Sequence, residues 1–129
     1  MLIGAVCEVW GAGMDPGRCG LWHTGGMSDF LSRARGALVG LAVGDAVGTT
    51  NEFKWAGTFE PITDMVGGGV FGLEPGQWTD DTSMALCLAD SLLAQGRYDS
   101  FDVMERYDRW YKEGYRSSTG TCFDIGNQV

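Results

Sequence analysis

Between Thr79 and Gly96 the apolar residues Ala85, Leu88, Ala89, Leu92 and Leu93 recur at i, i+3, i+4, i+7 and i+8, and this run constrains the fold more than any other. It predicts a helix that buries one stripe. Thr79 is a natural N-cap, whose hydroxyl is expected to accept from an orphan backbone N–H, and Gly96 suits the left-handed position just past the last turn. Asp80 and Asp81 then fall in the first turn. Acids there complement the positive helix end, which stabilises a surface helix by roughly 0.3–1 kcal/mol per charge and requires no further role. The sequence Trp78-Thr79-Asp80-Asp81-Thr82 also fits a hard-cation site, because Mg²⁺ and Mn²⁺ favour clustered carboxylate and hydroxyl oxygens. The approach to the helix favours this second reading. Gly67, Gly68, Gly69, Gly72 and Gly76, with Pro75, build a long tight loop that delivers the chain to this point, and an acidic cap alone has no need of it.

A second helix is expected from Met27 onward, capped by Ser28 or Asp29, with Leu31, Ala34, Leu38 and Leu41 as its buried stripe. Gly36, Gly40, Gly44 and Gly48 recur along it every fourth residue, although each interior glycine costs about 1 kcal/mol relative to alanine. Such a ridge implies the close approach of another backbone or of a ligand, with tight helix packing the expectation at Gly36 and Gly40. Asp45 continues the apolar stripe, so a carboxylate stands where the next buried residue is due, and a buried carboxylate needs a partner. A third helix is predicted over Phe101 to Lys112, capped by Asp99 or Ser100, with Val103, Tyr107, Trp110 and Tyr111 inward. The stretch 54–78 has no helical period and two prolines, and reads as loop.

At 129 residues the chain is at most one domain. Nine basic against seventeen acidic residues, a net charge of −8, argue against nucleic acid and toward cations as charged partners. Cys7, Cys19, Cys87 and Cys122 form no CxxC pair, and Cys87 lies mid-helix as a small buried thiol, so a reduced, cytoplasmic setting is expected. Residues 1–26 are rich in glycine, hold the sole histidine, His23, and show no apolar period, which reads as a disordered leader or a misassigned start with Met27 as initiator. No secretory signal or membrane span is legible. Near the end, Ser117, Ser118, Thr119, Gly120 and Thr121 supply hydroxyls and backbone N–H groups suited to a phosphate or ribose, although such runs are mostly plain turns.

Taken in order, the segments GALVGLAVGDAVG, Asn51-Glu52-Phe53, PGQWTDDTSMALCLADSLL and SSTGTCFDIG resemble the bacterial ADP-ribosylglycohydrolase family over residues 33–126. The resemblance implies an all-α orthogonal bundle that cleaves the bond between C1″ of ADP-ribose and its attachment atom, often an arginine nitrogen, with two Mg²⁺ or Mn²⁺ ions. It implies Thr79, Asp80 and Asp81 as metal ligands, Glu52 and Asp124 as acids of the site, and Ser118, Thr119, Gly120 and Thr121 as the wall that meets ADP-ribose. The partner is then an ADP-ribosylated protein or ADP-ribose. Asp45 would lie on the floor of the site, with no catalytic role assigned. The chemistry is coherent, since an oxocarbenium-like transition state needs acid on the leaving side and an activated water opposite, and metal ions supply both without histidine.

Two departures stand out. The family completes its metal site with a late DxDT-type motif that nothing after Asp124 supplies, and Gln128 and Val129 stand where threonines usually follow FDIG. The chain therefore reads as an N-terminal fragment, inactive alone. The alternative function is a non-catalytic ADP-ribose-binding or structural member of the same fold; a Mg²⁺-dependent phosphatase shares the cation logic but not the order of the motifs.

Overall fold

The computed structural model describes residues 27–126; the expectation for a leader over 1–26 lies outside these residues. Within the described residues, a boundary between units falls between Gly36 and Ala37. In chain order the described elements are α1 (Met27–Gly48), a 3-10 turn (Thr49–Asn51), α2 (Asp80–Gln95) and α3 (Ser100–Glu113). There is no strand among the described residues, only one antiparallel bridge between Gly68 and Leu73 inside the predicted loop. No described helix is long and apolar enough to cross a membrane.

The ends of the helices follow local chemistry. Asp99 caps α3, its Oδ1 accepting from the backbone N–H of Phe101 at 3.0 Å and of Asp102 at 3.2 Å. Gly96 ends α2 and Gly114 ends α3, both in the left-handed conformation, as glycine at these positions permits. Gly114 is also fixed by space, because a Cβ there would collide with the Gly120 carbonyl. All five glycines of the lead-in loop take positive φ, and a Cβ on Gly69 would run into the Thr49 carbonyl. The start of α1 differs from expectation: Ser28 and Asp29 lie within the first turn rather than ahead of it.

Helix positions are as the periodicity predicts, but the buried faces are not. On α2 the covered residues are Thr82, Ser83, Cys87 and Ser91, while Leu92 is exposed and Leu93 is 84% exposed. The reason is the neighbour. α2 packs against α3, and Ser83, Cys87 and Ser91, at i, i+4 and i+8, form a small-residue face that lets a bulky one approach. Trp110, 1% exposed, and Val103 are the buried residues of α3. Tyr107 is half-buried as expected, whereas Tyr111 is exposed, so the aromatic stripe of α3 is narrower than predicted. Burial pushes the Cys87 thiol up to about 11, which leaves it an inert packing group.

On α1 the expected stripe is likewise not buried: Leu31, Leu38 and Leu41 are exposed, and only Ala46 becomes core. The glycine ridge meets nothing within 4 Å of a Cβ built on any of its four residues, so neither a packed backbone nor tight helix packing explains it among the described residues.

Candidate active site

Asp45 lies on the last turns of α1. Its carboxylate accepts five hydrogen bonds from the start of α2: from the Thr79 N–H at 3.1 Å to each oxygen, from the Thr79 hydroxyl at 2.7 Å, from the Thr82 N–H at 3.0 Å and from the Thr82 hydroxyl at 2.6 Å. This corrects the expected cap. Thr79 makes no side-chain cap bond of its own; its hydroxyl donates to Asp45 instead of accepting from the helix, and Asp45 caps α2 from another element. The partner that a half-buried carboxylate requires is thereby supplied.

Just past α1 the 3-10 turn brings Glu52 into the same region, where the Thr49 hydroxyl donates to it at 3.4 Å. Phe53 follows with φ +60, and its ring meets Phe71 edge-on at 6.4 Å, which in turn meets Phe123 at 5.3 Å. Asp124, next to Phe123, is also left-handed at φ +56. Two non-glycine residues in sparsely populated backbone thus mark this region: Phe53, in the aromatic cluster and next to Glu52, and Asp124, next to Phe123.

Three segments distant in sequence therefore deliver carboxylates to one place. The electrostatics report their proximity. Burial, with Glu52 and Asp80 nearby, pushes Asp124 up to about 6. Glu52 is raised by burial and then by Asp80 and Asp45; Asp80 is raised by burial and by its neighbour Asp81. Burial, with Asp80 beside it, also raises the Cys122 thiol. Asp81 is exposed. Among the described residues no three His, Cys, Asp or Glu side chains converge closely enough to hold a metal ion as they stand.

The serine and threonine run forms a loop docked on the entry to α2. The Ser118 hydroxyl donates to the Trp78 carbonyl at 2.6 Å, and the Trp78 indole N–H donates to the Arg116 carbonyl at 3.2 Å. Within the loop the Ser117 hydroxyl donates to the Thr121 carbonyl at 2.6 Å. Thr119, Gly120 and Thr121 stay exposed. Asp90 of α2 anchors the loop by a two-pronged pair with Arg116, at 2.7 and 2.9 Å, and accepts from the Tyr115 hydroxyl at 2.7 Å; the Arg116 guanidinium holds its carboxyl below the usual range. Asp90, Tyr115 and Arg116 carried no expectation. Their only signal in sequence was a charge pair 26 residues apart, which no local spacing rule detects.

The same order of segments is what a known family carries. The sequence model of the ADP-ribosylglycohydrolase family matches residues 27–129. The chain belongs to the ADP-ribosylglycohydrolase family. It is 58% identical over 100 residues to the ADP-ribosylarginine hydrolase Tri1 of Serratia proteamaculans, covering 78% of this chain and 27% of that protein. It is 45% identical over 94 residues to the ADP-ribosyl-[dinitrogen reductase] glycohydrolase of Rhodospirillum rubrum, covering 70% and 32%. A solved structure described as an ADP-ribosylglycohydrolase-related protein complex superposes with a TM-score of 0.61 at 58% identity, over 64% of this chain and 29% of that one. The chain thus spans about 27–32% of the length of these curated ADP-ribosylglycohydrolase relatives, and the helical, strand-free structure of its described residues matches that solved relative.

Proposed function

We propose that this chain supplies part of the active site of a metal-dependent hydrolase that removes ADP-ribose from modified protein side chains, with an arginine N-glycosidic linkage as the substrate bond. The observation that carries the reading is the meeting of Glu52, Asp80 and Asp124 from three segments, in a chain 58% identical to a protein named an ADP-ribosylarginine hydrolase.

The donor types suit Mg²⁺ or Mn²⁺, with further oxygens needed to complete the coordination. Thr79, Asp80 and Asp81 offer hard oxygens, and the mutual repulsion around Asp80 is the charge a divalent ion would offset. When bound, such ions supply Lewis acidity toward water and the sugar hydroxyls. Glu52 and Asp124 do the proton work: Asp124 is lifted to about 6 and burial raises its neighbour Glu52, so the pair keeps a proton to higher pH than free carboxyls do, and that proton can be delivered to a leaving nitrogen or drawn from an attacking water. Ser118 holds the loop in place, and the exposed Thr119, Gly120 and Thr121 face outward for the nucleotide.

The test uses a polypeptide of family length that carries these residues, with Mn²⁺ and an ADP-ribosylated arginine peptide. Free ADP-ribose is expected, and Asp80→Asn or Asp81→Asn should slow its release on the order of a hundredfold or more, the scale of several kcal/mol of charge stabilisation. Full activity after exhaustive chelation overturns the metal dependence. Calorimetric binding of ADP-ribose by a folded protein that releases none overturns the hydrolase in favour of a binding member of the family.

A further inference from the structure

We propose that Asp45 is a positioning residue for the cation site: it takes up the hydroxyl proton of Thr79 and the orphan donors of α2, so that Thr79 presents only lone pairs and the Asp80-Asp81 turn is held in one geometry. The inference rests on the metal-dependent reading above and extends it to a residue outside the ligand set.

The geometry is unusually committed. A threonine hydroxyl has one proton and two lone pairs, and a cation ligand must turn its proton away from the ion. The Thr79 proton is spoken for at 2.7 Å by Asp45 Oδ1. The same carboxylate accepts from the N–H of Thr79 and of Thr82, and from the Thr82 hydroxyl at 2.6 Å, so both oxygens are occupied by residues on either side of Asp80 and Asp81. Asp80 and Asp81 therefore sit on a turn clamped at both ends by one side chain from a different helix. There is an electrostatic consequence as well. A helix N-terminus carries about half a positive charge, which opposes a cation at that position. A carboxylate that accepts two of its N–H groups offsets part of that charge from outside the turn. Neither Thr79 nor Thr82 is exposed, at 4% each, so water does not compete for these bonds.

Asp45→Asn keeps the shape but loses the charge and turns an NH₂ toward donors; Thr82→Val removes one clamp while leaving the three expected ligands intact; Thr82→Ser restores the hydroxyl. Mn²⁺ binding to a polypeptide of family length that carries these residues, and to these variants of it, is followed by water-proton relaxation, with circular dichroism and melting on the same samples and amide hydrogen exchange at positions 79 and 82. The expected result is Mn²⁺ affinity at least tenfold weaker in Asp45→Asn, weaker in Thr82→Val and unchanged in Thr82→Ser, with helix content preserved in all. A merely structural residue would move the melt and not the affinity at matched fold. Wild-type affinity in a folded Asp45→Asn overturns the proposal, and if that variant does not fold, wild-type affinity in Thr82→Val does so. If the wild-type chain binds no Mn²⁺, the metal reading fails on its own and exchange decides the clamp: acceleration confined to Thr79 and Thr82 in Thr82→Val, absent in Thr82→Ser, supports it, and equal rates overturn it.

Discussion

Asp102 shows how one residue responds to its charged neighbour. Arg106, one turn further along α3, donates to it at 2.7 Å and holds its carboxyl at about 2, below the usual 3.8. A folded pKa below the unfolded one contributes stability that is fully present above about pH 4 and is lost as pH falls toward 2. Asp102→Asn should therefore lower the melting temperature at pH 7, and its difference from wild type should shrink between pH 4 and 2; a constant offset down to pH 2 would contradict the pairing. Gly114 makes a steric prediction of the same scale. Gly114→Ala places a methyl on the Gly120 carbonyl in a left-handed residue, and should destabilise by about 1–3 kcal/mol in denaturant unfolding.

The helices differ in how their ends are satisfied. Asp99 caps α3 locally, so Asp99→Ala should cost about 0.5–2 kcal/mol, readable as a midpoint shift in urea with unchanged slope. α2 depends on Asp45, 34 residues before Thr79, and its cap forms only when α1 and α2 meet. The caps at Asp99, Gly96 and Gly114 and the loop glycines were legible because each is decided within a few residues by hydrogen bonding or by φ. The donor role of Thr79 was not, because nothing in a local pattern says that a capping hydroxyl will find a carboxylate elsewhere. The faces of α1 and α2 were misjudged for a related reason. Apolar spacing identifies a stripe, but which stripe is covered depends on the partner, and α2, packed on α3, covers its small residues rather than Leu92 and Leu93.

At the scale of the molecule, the described chain leaves Leu38, Val39 and Leu41 on α1 and Leu92 and Leu93 on α2 in solvent, and an apolar groove of about 250 Å³ runs between α1 and α2 beside Trp78 and Leu86. Surfaces of this kind drive association or a loosely packed state when left uncovered. The 129-residue chain alone is expected to bind a hydrophobic dye, to self-associate and to melt broadly. A sharp, cooperative transition from a dye-negative monomer would refute that.

The sequence by itself determined where helices run and where they stop, because these follow from period, capping chemistry and glycine's access to positive φ; the acids of the candidate site were named only through the family resemblance. It also marked Asp45 as an anomaly that needed a partner. Tertiary structure alone decided what that partner is, which face each helix buries, and that Glu52, Asp80 and Asp124 share one neighbourhood. Those outcomes are set by packing and by electrostatics between residues tens of positions apart, which no local spacing encodes.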